Sequence, residues 1–363
     1  MKIAFLTKGI NGGGSEKICM WLAQNLAKSG YCVSVLVLDN TSIRAEHPKL
    51  KIIPLKCRSL TVLPKLYKIF LKNQYDIVMS FGYELAVVAE INKFLNPIHH
   101  VTVFRNPNTI SCEIKQRYSK LKGFMVRIVL KKFLVKTDII VNQCAEMEDD
   151  LKEYLDKPSS KPSQMVTILN PAFLETTQST KASVHFSDAS VDYFLFAGRL
   201  ELQKDLSFLL KAFSRYKALG GKNTLIIAGS GSLLSELQNE VRDLKLTDCV
   251  IFKGYVDDLN ILMNRADALV LTSKYEGFPN VLLESLSVGT PVIVTRFKSG
   301  ADEIVKNNSN GYLLDKSEDA FAHALLKFSK DNFSRLVLQD TIEKFSPEVI
   351  FAEYVRVIES LRH

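Results

Sequence analysis

Long apolar runs are absent from this 363-residue sequence. Nothing approaches the roughly 18–20 consecutive apolar residues of a membrane span. The first apolar stretch, Ile3-Ala4-Phe5-Leu6, stops after four residues, whereas a signal-peptide core needs about 7–15. A cytosolic protein is expected. Cys19, Cys32, Cys57, Cys112, Cys144 and Cys249 share no short spacing, which argues against a disulfide framework and against a cysteine zinc site. The one adjacent histidine pair, His99 and His100, would point to opposite faces of a strand. No metal and no cofactor are therefore expected. No repeat of about 20–50 residues is present, which argues against a solenoid.

Apolar residues make up 47% and charged residues 24%, a globular composition that excludes general disorder. The length suits two domains of about 150–200 residues. Charge is unevenly shared. Residues 1–170 carry 25 Lys and Arg against 14 Asp and Glu, a net +11, while residues 171–363 carry 22 against 25, a net −3. Such asymmetry points to different partners for the two halves. Nucleic acid, an anionic membrane or a phosphorylated substrate each fit the basic half.

Short β-branched or aromatic runs alternate with longer helical patterns. The runs predict strands over Lys2–Thr7, Cys32–Leu38, Asp76–Phe81, His100–Phe104, Asp138–Asn142 and Val166–Leu169. After a Ser/Thr-rich stretch, Glu175–Ser190, that reads as a linker, they resume at Asp192–Ala197, Thr224–Ala228, Cys249–Lys253, Ala268–Thr272 and Pro291–Thr295. Helical patterns include Asp205–Leu219, Leu233–Leu244 and Val281–Val288. This alternation predicts parallel sheets covered by helices on both faces. The fold class is α/β, with two doubly wound, Rossmann-like domains facing each other: 1–170 and 171–346, with residues 347–361 forming a helix of suitable apolar pattern.

Such folds bind ligands beyond the carboxyl ends of their strands, and unusual residues stand there. Gly12-Gly13-Gly14-Ser15 follows the first strand and opens a helix. Glycines and a helix N-terminus favour a phosphate; a tight turn with Ser15 as N-cap fits equally well. In the second half, Gly198-Arg199-Leu200 and Lys204 lie between a strand and a helix. Arg199 with its fork and Lys204 as a point charge suit a diphosphate, although solvated surface cations are the usual case. Glu276-Gly277-Phe278-Pro279 follows another strand. Pro279 suits the first helical position, which places Glu284 inside the next helix. Carboxylates accept from neighbouring hydroxyls, so Glu276 and Glu284 can hold a sugar and a ribose diol. Together these residues read as a nucleotide-sugar site.

The sequence resembles a retaining glycosyltransferase of family 4, with the two-domain GT-B fold, of the bacterial surface-polysaccharide type. The resemblance rests on Gly13-Gly14-Ser15-Glu16, Ile168-Leu169-Asn170-Pro171, Gly198-Arg199-Leu200 with Lys204, the pair Glu276 and Glu284, Gly289-Thr290-Pro291-Val292-Ile293 and Gly311-Tyr312-Leu313-Leu314. It implies that Arg199 and Lys204 hold the donor diphosphate and Glu284 the ribose. It also implies that Glu276 holds the transferred hexose and that Gly277, Phe278, Asn280 and Val281 line the donor through their backbone. Uracil would lie near Gly254 and Tyr255. Family members often place a histidine of the first domain at the donor sugar. Here Val103-Phe104-Arg105-Asn106-Pro107-Asn108 has none, so Arg105 or Asn106 takes that role or the role is dispensable. The implied reaction is same-face, metal-independent transfer in which the leaving phosphate deprotonates the acceptor.

Between Ser111 and Lys136 eight cations face one acid, Glu113. Lys120, Arg127 and Lys131 fall on one helical stripe. This suits a helix lying on an anionic membrane; a solvated basic face on an ordinary covering helix is the alternative. The expected function is transfer of a hexose or N-acetylhexosamine from a nucleotide sugar to a lipid-linked or polysaccharide acceptor in surface-polysaccharide synthesis. The expected location is the inner face of the cell membrane, as a peripheral protein. The alternatives are a sugar-nucleotide epimerase of the same fold and a basic nucleic-acid-binding protein. No nucleic-acid motif is present, and nucleic-acid binding leaves the acidic pair unexplained.

Overall fold

The computed structural model of the protein describes residues 1–10, 13–39, 45, 47–57, 61–155, 164–173 and 192–361. The linker read over Glu175–Ser190 lies outside them, as do Asn11 and Gly12 of the glycine loop. The chain divides into two compact units, Met1–Asn170 with Glu348–His363, and Pro171–Pro347.

The first unit holds a parallel sheet of β1 (Lys2–Thr7), β2 (Cys32–Val37), β3 (Leu50–Pro54), β4 (Ile77–Phe81), β5 (Val101–Arg105), β6 (Ile139–Asn142) and β7 (Gln164–Thr167). Its order is β3-β2-β1-β4-β5-β6-β7. Ile3 and Phe5 lie opposite Val33 and Val35. On one face they pack with Leu22 and Leu26 of the helix Gly14–Lys28. On the other, Ala4 and Leu6 meet Leu66, Phe70 and Leu85 of the helices Leu63–Asn73 and Tyr83–Leu95. Strands buried on both faces need continuous apolar runs, which is why these segments are so rich in Val, Ile and Phe.

The second unit repeats the plan with β8 (Tyr193–Ala197), β9 (Thr224–Ala228), β10 (Val250–Gly254), β11 (Ala268–Leu271), β12 (Val292–Thr295) and β13 (Gly311–Leu314). All pairs are parallel, in the order β10-β9-β8-β11-β12-β13. Parallel pairing puts every strand's carboxyl end on one edge, so the loops after β8 to β12 share that edge. The order reverses beside β1 and beside β8, the switch points where such sheets leave room for a ligand.

After the second unit the chain returns to the first as the helix Pro347–Glu359. Ile350, Tyr354 and Ile358 of this helix complete the core around the helix Gly14–Lys28, and Trp21 meets Phe351 edge-on at 6.2 Å.

Several local expectations differ from the structure. Leu50–Pro54 and Gly311–Leu314 are strands that the apolar runs did not single out. Each is an edge strand with an alternating or partly exposed burial pattern, so neither needs a continuous apolar run. The strand expected at Val166–Leu169 starts earlier, at Gln164, because its pairing with β6 matches Gln164 to Ile139. Ser15 is not the N-cap. The helix begins at Gly14, with Gly13 in the capping position. Pro279 likewise caps its helix, which begins at Asn280.

Candidate active site

The residues expected to hold a nucleotide sugar in the second half converge on the carboxyl edge of the second sheet. After β8 the chain runs Gly198-Arg199-Leu200-Glu201 into a single 3-10 turn, Leu202–Lys204. The helix Leu206–Ala218 follows at once. Asp205 joins the two in the left-handed region, φ 50° and ψ 48°. After β11 the segment Thr272–Pro279 crosses the same edge before the helix Asn280–Ser287.

These two segments are stitched together. Lys274 N donates to Gln203 O at 2.8 Å. The Thr272 hydroxyl donates to Lys204 O and Asp205 O at 3.4 and 3.3 Å, and Gln203 Nε2 donates to Tyr275 O at 3.0 Å. At the centre, Lys204 Nζ sits 2.6 Å from Glu276 Oε1. Both side chains are mostly withdrawn from water, at 13% and 8% exposed. The same carboxylate accepts from the Ser273 hydroxyl at 2.6 Å and from Gln203 Nε2 at 3.2 Å. The loop after β12 supports it from below: Glu276 N donates to Lys298 O at 3.2 Å, and the Ser299 hydroxyl donates to Gly277 O.

A third loop, Gly229-Ser230-Gly231-Ser232 after β9, underlies Arg199. Gly198 N donates to Ala228 O at 3.0 Å, Leu200 N to Ser230 O at 2.9 Å, and Leu233 N to Leu200 O at 3.1 Å. A Cβ on Gly229 would collide with the Gly198 carbonyl, and one on Gly231 with the Leu200 backbone. Glycine is required at both by close approach of main chain to main chain. Glu201 accepts from Ser232 N and the Ser232 hydroxyl at 3.0 and 2.8 Å. These bonds, the backbone one foremost, hold its carboxyl below the usual carboxylate range.

The other expected donor residues occupy the same edge. Arg199 is exposed, while Asn280, Val281 and Glu284 are half-buried on the first turns of their helix. Gly277 is buried. Phe278 packs its ring 5.9 Å from Phe345, and its carbonyl accepts from Asn280 N at 2.9 Å. Gly254, at φ +67°, ends β10, and Tyr255 after it is exposed. Gly13 and Gly14 belong to the first unit, where the Glu16 side chain folds back against Gly13. Gln203, Ser273 and the Gly229–Gly231 loop were not expected from the sequence. The Gly-Ser-Gly-Ser string after a strand run was a signal for the loop, but neutral Gln and Ser carry none.

Arg105 and Asn106, expected in place of the missing histidine and on the acceptor side, are buried. They are 1% and 0% exposed, and their side chains are engaged inside the first unit. Arg105 Nε donates to the Tyr354 hydroxyl at 2.9 Å, and its Nη2 donates to Asn170 Oδ1 at 2.5 Å. Asn170 Nδ2 continues to Gln143 Oε1 at 2.8 Å, Gln143 Nε2 to Asn106 O at 2.6 Å, and Asn106 Nδ2 to Asn142 Oδ1 at 3.0 Å. The chain of amides explains two large polar side chains in a core, since buried polar groups persist only when bonded.

Of the stripe Lys120, Arg127 and Lys131, Lys120 is exposed while Arg127 and Lys131 are half-buried. On the helix Lys120–Leu134, Arg127 Nε donates to Tyr154 O at 3.0 Å, and its guanidinium lies 5.2 Å over the Tyr154 ring. Arg127 is therefore turned toward the helix Ala145–Leu155. The open face is apolar: Leu121 and Phe124 are 75% and 59% exposed, and Met125, Ile128 and Val129 are exposed beside them. These five positions follow the i, i+3, i+4, i+7 and i+8 pattern of one helical face. The exposed Lys122 and Lys132 accompany them.

Among the described residues no helix is long and apolar enough to cross a membrane, and no group of three His, Cys, Asp or Glu is placed to hold a metal ion.

Two parallel α/β units, the second with cations and carboxylates at its strand-end edge, have the two-domain GT-B fold, and the chain is similar to glycosyltransferases. The family described as "Glycosyl transferases group 1" matches residues 178–345, which lie within the second unit. Over 314 residues the chain is 25% identical to the UDP-Gal:alpha-D-GlcNAc-diphosphoundecaprenol alpha-1,3-galactosyltransferase of Escherichia coli, covering 80% of this chain and 78% of that one. An uncharacterized glycosyltransferase of Methanocaldococcus jannaschii, MJ1607, is 29% identical over 60% of this chain, and that match spans 59% of its own length. The structure of Anabaena Alr3699/HepE in complex with UDP-glucose is 18% identical, with a TM-score of 0.80 over 99% of this chain and 100% of that one. It shares the fold.

Proposed function

We propose that this glycosyltransferase moves a hexose or N-acetylhexosamine from a UDP-sugar to a lipid-linked glycan acceptor, with retention of configuration and without a metal. The observation that carries the reading is the Lys204–Glu276 pair, set beside Arg199 at the carboxyl edge of the second sheet. A nucleotide sugar needs cations for its diphosphate and a carboxylate for its sugar hydroxyls, and this edge offers both. The name of the E. coli relative supports a UDP-sugar and a polyprenol-diphosphate acceptor.

Cleavage of the anomeric bond leaves positive charge on the sugar and negative charge on the diphosphate. Arg199, Lys204 and the positive end of the dipole of the helix Asn280–Ser287 stabilise the diphosphate as it departs. Glu284, one turn along that helix, accepts from the ribose hydroxyls. Glu276 accepts from hydroxyls of the transferred sugar. The released phosphate takes the proton of the incoming acceptor hydroxyl, which puts attack on the face the nucleotide leaves and retains the configuration. The open apolar face Leu121, Phe124, Met125, Ile128 and Val129, with Lys122 and Lys132, suits an anionic membrane surface and so a lipid-borne acceptor. On this reading the protein is peripheral on the inner face of the membrane.

The test is release of UDP from UDP-sugars with and without a polyprenol-diphosphate-linked glycan. Transfer should persist in EDTA, and Arg199→Ala should lower turnover on the order of a hundred- to a thousandfold. An α-linked product from an α-linked donor supports retention. Activity abolished by EDTA and restored by magnesium or manganese contradicts metal independence.

A further inference from the structure

We propose that Gln203 and Ser273 are positioning residues that keep the Glu276 carboxylate aimed when Lys204 turns from it to the donor diphosphate. The inference rests on the nucleotide-sugar reading of this edge.

Lys204 has two tasks that compete. Its Nζ neutralises Glu276 at 2.6 Å, yet a diphosphate arriving beside Arg199 attracts the same ammonium. Glu276 is 8% exposed, and a polar group so withdrawn from water needs hydrogen-bond partners. Asp205, the acid nearest in sequence, has its own cation in Lys316 at 2.6 Å. Two donors that do not depend on Lys204 are the Ser273 hydroxyl on Oε1 and Gln203 Nε2 on Oε2, one on each oxygen. Two donors on two oxygens fix the plane of the carboxylate.

Neither donor is free to leave. Gln203 is buried and is tied by its other bonds to Tyr275 O and Lys274 N. Ser273 is fully buried. Both are neutral, so a diphosphate does not draw them away. Lys204 can therefore exchange partners while Glu276 keeps its orientation toward the transferred sugar.

Gln203→Met keeps the volume and removes the donor, Ser273→Ala removes a hydroxyl, and Ser273→Thr restores one. Binding of UDP-glucose, UDP-galactose and their N-acetylhexosamine counterparts to the full chain, each set against UDP by calorimetry, reads the effect directly. In each of the first two variants the affinity for the nucleotide sugar that the wild type binds should fall about ten- to a hundredfold, the loss for a hydrogen bond to a charged group, and kcat/KM should fall with it. Affinity for UDP, which lacks the sugar, should stay within about twofold of wild type, and Ser273→Thr should return nucleotide-sugar affinity toward wild type. Unchanged nucleotide-sugar binding overturns the proposal, as does an equal loss of UDP and UDP-sugar binding. A wild type that binds these nucleotide sugars but transfers none sinks the glycosyl-transfer reading instead, and the ratio of UDP-sugar to UDP affinity still decides this one.

Discussion

Arg105 and Tyr354, 249 positions apart in sequence, meet inside the first unit where Arg105 Nε donates to the Tyr354 hydroxyl at 2.9 Å. The bond fastens the returning helix Pro347–Glu359 to the end of β5. Arg105 Nη1 is already without a partner among the described residues, so this guanidinium has little to spare. Tyr354→Phe should strand Nε as well and destabilise the protein by about 1–3 kcal/mol. Urea denaturation checks this, and an unmoved midpoint would contradict it.

Glu284→Ala should weaken UDP binding roughly ten- to over a hundredfold by removing the ribose acceptor, since a hydrogen bond to a charged group contributes about 1.5–3 kcal/mol. Isothermal titration with UDP alone gives the answer. Unchanged affinity would take the ribose away from Glu284.

The open face of the helix Lys120–Leu134 separates two membrane readings. Phe124→Asp with Ile128→Asp should remove most binding to vesicles rich in phosphatidylglycerol, because each apolar side chain withdrawn from water contributes about 1.5–3 kcal/mol. Lys131→Glu should cost less, about 1 kcal/mol for a cation near the surface. Vesicle co-sedimentation ranks the two, and the reverse order would restore the Lys120–Arg127–Lys131 stripe as the docking surface.

Glu90, buried on the helix Tyr83–Leu95, has an oxygen without a hydrogen-bond partner among the described residues. Burial pushes its carboxyl above the usual range. At low pH both folded and unfolded chains hold this proton and nothing is lost. As pH rises past the unfolded value, only the unfolded chain gives it up readily, and stability falls. Glu90→Gln should therefore raise the melting temperature at neutral pH, with the gain shrinking toward pH 4. A gain that persists in acid would point to packing rather than charge.

The sequence carried the doubly wound plan because buried parallel strands demand apolar runs, and β1, β8 and β9 stand nearly where those runs predict. It carried β3 and β13 poorly, since edge strands are exposed and need no such run. The charged members of the site were legible for a similar reason: Arg199, Lys204 and Glu276 at strand ends are costly residues that call for a purpose. Gln203 and Ser273 gave no sign, as neutral polar side chains are common in loops and only their distances to Glu276 distinguish them. On the basic helix the sequence did not separate the cations, of which Lys120 is exposed and Arg127 is not. Periodicity permits either face outward, and Tyr154 decides that Arg127 turns in.

Where Gly229 and Gly231 meet the loop of Arg199, the floor of the edge is bare peptide on bare peptide. A floor of that kind has no side chain to exchange, and any replacement at either glycine lifts the Arg199 loop bodily. On the nucleotide-sugar reading, altered sugar preference is expected from changes in the segments after β11 and β12, while the bed beneath Arg199 stays the same.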